Sequence, residues 1–156
     1  MWKRLLVLVT VIGAPLTVPA TAEGAGGTGP YDWIVQYGTR MNDESRGVAV
    51  DAAGDVIVAG ITFDGASGRV PGSRDAFVRK FRPSSTGATL LWSRRFGTLN
   101  DDVALDVAAD RSGNLYVVGQ TQGALGATLG GYSDPFVRSY GAAGQLRWTR
   151  QPGSTE

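Results

Sequence analysis

Histidine and cysteine are both missing from this 156-residue chain. Their absence removes the Ser-His-Asp triad, the cysteine nucleophile, zinc held by Cys or His, and any internal disulfide. Charge is scarce as well: 15 basic and 14 acidic side chains make 19% of the sequence and leave a net charge of only +1. Such a balance gives no electrostatic footprint for nucleic acid. Long apolar runs are also lacking. The longest, Leu5–Ala14, is half the length of roughly 20 residues that a membrane-crossing helix needs. What the chain has in excess is glycine, 23 residues, set among 42% hydrophobic ones. That mixture excludes a disordered acidic tail and predicts a turn-rich β protein.

The apolar run reads as an address. Lys3 and Arg4 precede it, Pro15 and Pro19 follow it, and Ala20-Thr21-Ala22 is a small-x-small cleavage site. Residues 1–22 are therefore expected to be a signal peptide. The mature chain, Glu23–Glu156, would be exported to an extracellular, periplasmic or cell-surface location, with no membrane insertion after cleavage. It carries 13 basic and 14 acidic residues, so no nucleic-acid partner is expected. The one lysine left beside twelve arginines, Lys80, reads as a bias of composition rather than as a binding signal.

After a Gly-rich flexible leader, residues 23–31, the chain copies itself. A shift of 59 puts Trp33 on Trp92, Gly38-Thr39 on Gly97-Thr98, Asp43 on Asp102 and Asp51 on Asp110. The register runs on without a gap through Gly60 on Gly119, Thr62 on Thr121, Asp75 on Asp134 and Phe77-Val78-Arg79 on Phe136-Val137-Arg138. Between Trp33–Phe81 and Trp92–Tyr140, 16 of 49 aligned positions are identical. Trp148 opens what reads as a third copy. The expected layout is a first repeat over 32–91, a second over 92–147, and the start of a truncated third over 148–156.

Each copy parses into strand-length pieces. Gly47–Asp51 and Val56–Gly60 flank the turn Ala52-Ala53-Gly54-Asp55. Leu105–Asp110 and Leu115–Gly119 flank Arg111-Ser112-Gly113-Asn114. Gly beside Asp or Asn between apolar runs is hairpin chemistry, because those residues tolerate positive φ. Asp75–Phe81 and Asp134–Tyr140 are the third strands, and Leu90–Phe96 and Leu146–Arg150 the fourth. Nothing shows a helical period. Four strands in a repeat of 40 to 60 residues predict an all-β fold, a partial β-propeller of two four-stranded antiparallel blades plus the first strand of a third.

The order Trp-x3-aromatic-Gly-Thr, Asp, Val-Ala-x-Asp-x-x-Gly-Asn/Asp, Gly-x-Thr, Asp-x-Phe-Val-Arg resembles the bacterial beta-propeller repeat called SBBP. The resemblance covers Trp33 to about Trp148 and implies blades of four antiparallel strands in an exported bacterial protein. It implies no catalytic residue. Pro135 inside the third strand and Ser139-Tyr140-Gly141 in place of Lys80-Phe81-Arg82 depart from the pattern, as does Pro152 at the aromatic position. The last two suggest weaker strand ends late in the chain.

No residue set is expected to be catalytic or to bind a cofactor. Asp51, Asp55, Asp110 and Asn114 are weak calcium candidates through their oxygens; capping of the hairpin by Asp51 and Asp110 is favoured, since the dense acidic spacing of a calcium loop is missing. Asp43, Asp101 and Asp102 are the carboxylates for an alternative hydrolase or lyase acting on polysaccharide, against which solvated loops are favoured. Asp75 and Asp134 read as structural. Trp33, Trp92 and Trp148 are expected in the core or between blades, and Arg79 and Arg138 against solvent or a loop carboxylate. The favoured function is a non-catalytic binding module, probing an unidentified protein or carbohydrate with the loops Phe63–Arg74 and Gln122–Ser133, which differ between copies while their flanks agree. Two blades cannot close a propeller. The chain is thus expected to be a fragment of a longer repeat protein, or to self-associate through one bare apolar face on each blade.

Overall fold

The computed structural model describes residues 35–63, 73–85 and 87–153. The expected signal peptide and leader, Trp33 and most of the first variable loop lie outside these. Eight strands follow in chain order: β1 Asp43–Val50, β2 Val56–Thr62, β3 Asp75–Ser84, β4 Gly87–Phe96, β5 Asp102–Ala109, β6 Leu115–Thr121, β7 Asp134–Tyr140 and β8 Leu146–Arg150. They form two four-stranded antiparallel sheets, ordered β1-β2-β3-β4 and β5-β6-β7-β8. The fold is all-β, and each sheet is a propeller-type blade.

Turn chemistry places the hairpins. Asp51 Oδ1 accepts the N–H groups of Ala53 and Asp55 at 2.9 and 3.0 Å, and Asp110 Oδ1 accepts those of Ser112 and Asn114 at 2.8 and 2.9 Å. Gly54 and Gly113 then adopt φ of 79° and 78°, where a Cβ is strained. A bulge opens the inner strand at the same place in both copies, between Ser45 and Gly47 and between Ala104 and Asp106.

The second blade lays Leu115, Val117, Phe136 and Tyr140 against Ile57, Ala59, Ala76 and Val78 of the first, with Phe96, Ala104 and Val107 filling the same core. Strand β2 is buried along its whole length, as a strand covered on both faces must be. Strand β6 alternates between buried and open. Two expectations are corrected here. Among the described residues only the second blade has a bare face: in the first, Val56, Val58, Phe77 and Phe81 are buried, with Tyr37, Ala88 and Leu90 packed on them. The Trp148 strand does not begin a third blade. It pairs with β7 as the outer strand of the second, just as the Trp92 strand pairs with β3, so no strand of a third blade exists among the described residues. Strand β8 has five residues where β4 has ten, in keeping with the weaker end. Pro135 is accommodated because β8 stops at Arg150, opposite Val137, before reaching it.

Candidate functional site

The described ends of the β2–β3 connection, Phe63 and Arg74, lie at one end of the blades with the β6–β7 loop, the 97–101 connector and the approach to β1. Register sets a row of polar residues there. Asp43 lies opposite Thr62, which lies opposite Asp75; in the second blade Asp102, Thr121 and Asp134 repeat the row. All six are buried. The N–H and hydroxyl of Thr39 both donate to Asp43 Oδ2, and those of Thr98 both donate to Asp102 Oδ2. The repeated Gly-Thr-x3-Asp spacing is therefore a clamp that ties the incoming chain to the inner strand. The other oxygen of each clamp, Oδ1 of Asp43 and of Asp102, is buried without a hydrogen-bond partner among the described residues.

The loops are stitched together above this row. Arg74 donates its N–H to Asp101 Oδ1 at 2.9 Å, and its guanidinium grips Asp101 Oδ2 at 2.9 and 2.6 Å. Burial pushes the Asp101 carboxyl up, but the Arg74 hydrogen bonds and charge outweigh it and hold the group below its ordinary value. Asn100 donates to the Gln122 carbonyl, and Gly123 lies so close to Thr98 that a Cβ would stand 2.3 Å from its hydroxyl. Gln151 organises the second loop. Its Oε1 accepts the N–H groups of Leu125, Gly126 and Ala127, and its Nε2 donates to Gly123 O and Asp134 Oδ2. Outward, the same end presents Met41, Leu99 and Tyr132, which are 51%, 68% and 85% exposed.

The sequence candidates fall out as follows. Asp43 and Asp102 are sealed inside the clamps, which corrects the solvated loops expected for them, and Asp101 is held by Arg74, so these carboxylates do not form an open acid–base pair. Asp51 and Asp55 do converge, and on nitrogen donors. Asp51 Oδ2 accepts from Lys80 Nζ at 2.6 Å, Lys80 stands 3.2 Å from Asp55 Oδ2, and Arg82 grips Asp55 in a fork at 2.9 and 3.0 Å. Every oxygen of both carboxylates faces a donor. Asp55 is held low, first by the Arg82 hydrogen bond; burial works to lower Lys80, but Asp51 and Asp55 raise it on balance. In the second copy Asp110 Oδ2 accepts instead from Asn114 and Tyr116, and its carboxyl is lowered mainly by Asn114. No group of three acidic side chains is placed to hold a metal among the described residues.

Two sequence expectations change. Arg79 and Arg138 stack over the rings of Phe77 and Phe96, both at 4.4 Å, a cation–ring contact that the sequence reading did not include. Trp92 is an inter-blade residue, but Trp148, with no blade behind it among the described residues, is 38% exposed. Lys80, read from composition alone as a bias, is the centre of a buried ion network. A signal for it exists in the repeat: Asp55, Lys80 and Arg82 change together to Asn114, Ser139 and Gly141.

Residues 91–126 match the family model SBBP, described as a beta-propeller repeat. The matched stretch contains Trp92, the Thr98–Asp102 clamp, the Asp110 hairpin and Gly119, which are the parts that build the blade. No curated protein matches the chain.

Proposed function

We propose that this chain is an exported, non-catalytic module of propeller type that binds a protein or carbohydrate ligand with the loop end of its blades. The observation that carries the reading is the division of labour at that end. Carboxylates that could do chemistry are buried or engaged by Thr39, Thr98 and Arg74, whereas Met41, Leu99 and Tyr132 point outward from a stitched platform. Fixed loops with exposed apolar side chains suit recognition, since little freedom remains to be lost on binding. Tyr132 is the residue suited to stack on a sugar ring or an apolar side chain.

The experiment begins with the secreted chain. A mature N-terminus at Glu23 by mass spectrometry supports export; retention of residues 1–22 overturns that part. The secreted chain is then screened against polysaccharides for binding and for released sugar. Binding that weakens about tenfold in Tyr132→Ala, without turnover, supports the module. Turnover that disappears in Asp102→Ala overturns it.

A further inference from the structure

Lys80 meets two carboxylates inside the first blade. Its Nζ stands 2.6 Å from Asp51 Oδ2 and 3.2 Å from Asp55 Oδ2, and none of the three side chains is more than 5% exposed. The other Asp51 oxygen, Oδ1, accepts the N–H groups of Ala53 and Asp55 at 2.9 and 3.0 Å. Two backbone donors on one carboxylate oxygen, with an amine against the other, suit attack on the carboxyl carbon. Charge that develops on Oδ1 is already met by its donors, and the nucleophile is held beside the atom it attacks. Asp110 has the same two N–H donors on its Oδ1, but Asn114 and Tyr116 face its Oδ2, and Ser139 stands where Lys80 does. The second copy keeps the turn and lacks the nucleophile.

We propose that Lys80 and Asp51 condense to an amide, a covalent tie between the first hairpin and β3 in a chain that has no cysteine for a disulfide. A proton passes from Lys80 Nζ to Asp55 Oδ2. The freed lone pair attacks Asp51 Cγ, and the carbonyl electron pair moves onto Oδ1, between its two N–H donors. Asp51 Oδ2 then takes the proton back from Asp55 and a second one from the attacking nitrogen. Its bond to Cγ breaks, the carbonyl at Oδ1 reforms, and water leaves. Of the three ammonium protons one stays on the amide and two depart with the oxygen, so the ion pair itself supplies every atom and proton.

Burial favours the step, because two buried charges become one neutral group. The fixed approach replaces an encounter in solution, an advantage of about 10⁵–10⁸ M in effective concentration. Asp55 is the relay and not the partner: Arg82 grips both of its oxygens, and it stands farther from Nζ. The reaction is slow. Burial works to strip the Lys80 proton, Asp51 and Asp55 outweigh it, and the Arg82 hydrogen bond keeps Asp55 a weak base. The freshly folded chain therefore carries the ion pair, and the amide accumulates from it. Nothing in this depends on a ligand at the loop end.

Intact mass, followed over days at neutral pH and below the melting temperature, reads the reaction without any substitution. The expected result is a growing population lighter by one water. Trypsin should leave its residues 47–69 joined to residues 80–94, since an amidated lysine is not cleaved. Asp55→Asn, which cannot relay the proton, should slow the joining about a hundredfold, and Lys80→Arg should abolish it. An unchanged mass overturns the proposal. So does a lighter chain whose two peptides stay separate, which is an aspartate closed on its own backbone. Joining at the parental rate in Asp55→Asn overturns the role given to Asp55.

Discussion

The ring of Phe136 lies against the bare α-carbon of Gly119, its cross-strand partner: a Cβ built there would stand 2.7 Å from the ring and 1.9 Å from the carbonyl oxygen of Val103. Gly60 and Phe77 repeat the arrangement, with a Cβ 1.9 Å from the Glu44 carbonyl. Glycine therefore stays at this position in both copies for want of space, and not for a turn.

Gly119→Ala forces one methyl against backbone, which cannot swing aside as a side chain does. The bulge next to Val103 has to open, or the Phe136 ring has to leave the core between the blades. Overpacking of this kind costs about 1–3 kcal/mol and sometimes more. Urea unfolding should place Gly119→Ala at least that far below the parent, while Gly131→Ala, where a Cβ meets nothing within 4 Å, should be near neutral.

Lys80→Met removes the cation between two buried carboxylates. The Asp51 and Lys80 side chains are 2% and 5% exposed, so water does not replace the lost partner. Removing one member of a buried pair costs about 3–5 kcal/mol. The loss should fall towards the lower figure because Arg82 still grips Asp55. Thermal melting checks it, and Lys80→Met with Asp51→Asn should recover part of the loss, since the uncompensated charge is then gone.

The repeat made much of this fold legible. A gap-free shift of 59 positioned three strands of each blade, and Gly beside Asp or Asn set the hairpins, because turn chemistry is local. The fourth strand was legible too, Leu146–Arg150 falling in the second sheet as read, but the same segment was also counted as the opening of a third blade. Trp148 reads as the start of a unit when the repeat is cut at tryptophan, yet hydrogen bonding to β7 makes it the end of one. The Lys80 network was hidden for a related reason: the duplication draws attention to what the copies share, and this network exists in one copy only. At the loop end, neither feature was read from the sequence: solvated loops were favoured for Asp43 and Asp102, which the Thr39 and Thr98 clamps bury, and the hold of Gln151 on residues 125–127 joins positions about 25 apart and leaves no local pattern.

Gln151→Ala strips the second loop of its common anchor. Three N–H groups lose their acceptor, and Asp134 and Gly123 lose a donor. Water can reach part of this loop, so the loss should be about 1–3 kcal/mol rather than the sum of five hydrogen bonds. Amide exchange read by mass spectrometry should quicken at 123–127 and stay unchanged in β2 and β3. Faster exchange throughout both blades would show that Gln151 supports the whole fold and not the loop.

Acid and alkali should unfold the protein through different groups. Asp55, Asp101 and Asp110 have carboxyls held below their ordinary value by Arg82, Arg74 and Asn114. A folded value below the unfolded one adds stability above the unfolded value, and that stability is lost as pH falls through the carboxylate range, from about pH 5 downward. At the other end, burial pushes the Tyr140 hydroxyl up to about 12. A folded value above the unfolded one leaves stability whole below the unfolded value, near pH 10 for tyrosine, and removes it as pH rises towards the folded one. Lys80, raised by Asp51 and Asp55, adds to the alkaline loss with the same sign. The melting temperature should therefore be level near neutrality and fall on both sides. Tyr140→Phe keeps the ring packed beside Phe96 and Trp92 and removes the ionisable group. Between pH 10 and 12 it should melt above the parent, with no difference between them at pH 5. Parallel melting curves across the alkaline range would show that the buried hydroxyl does not govern that limb.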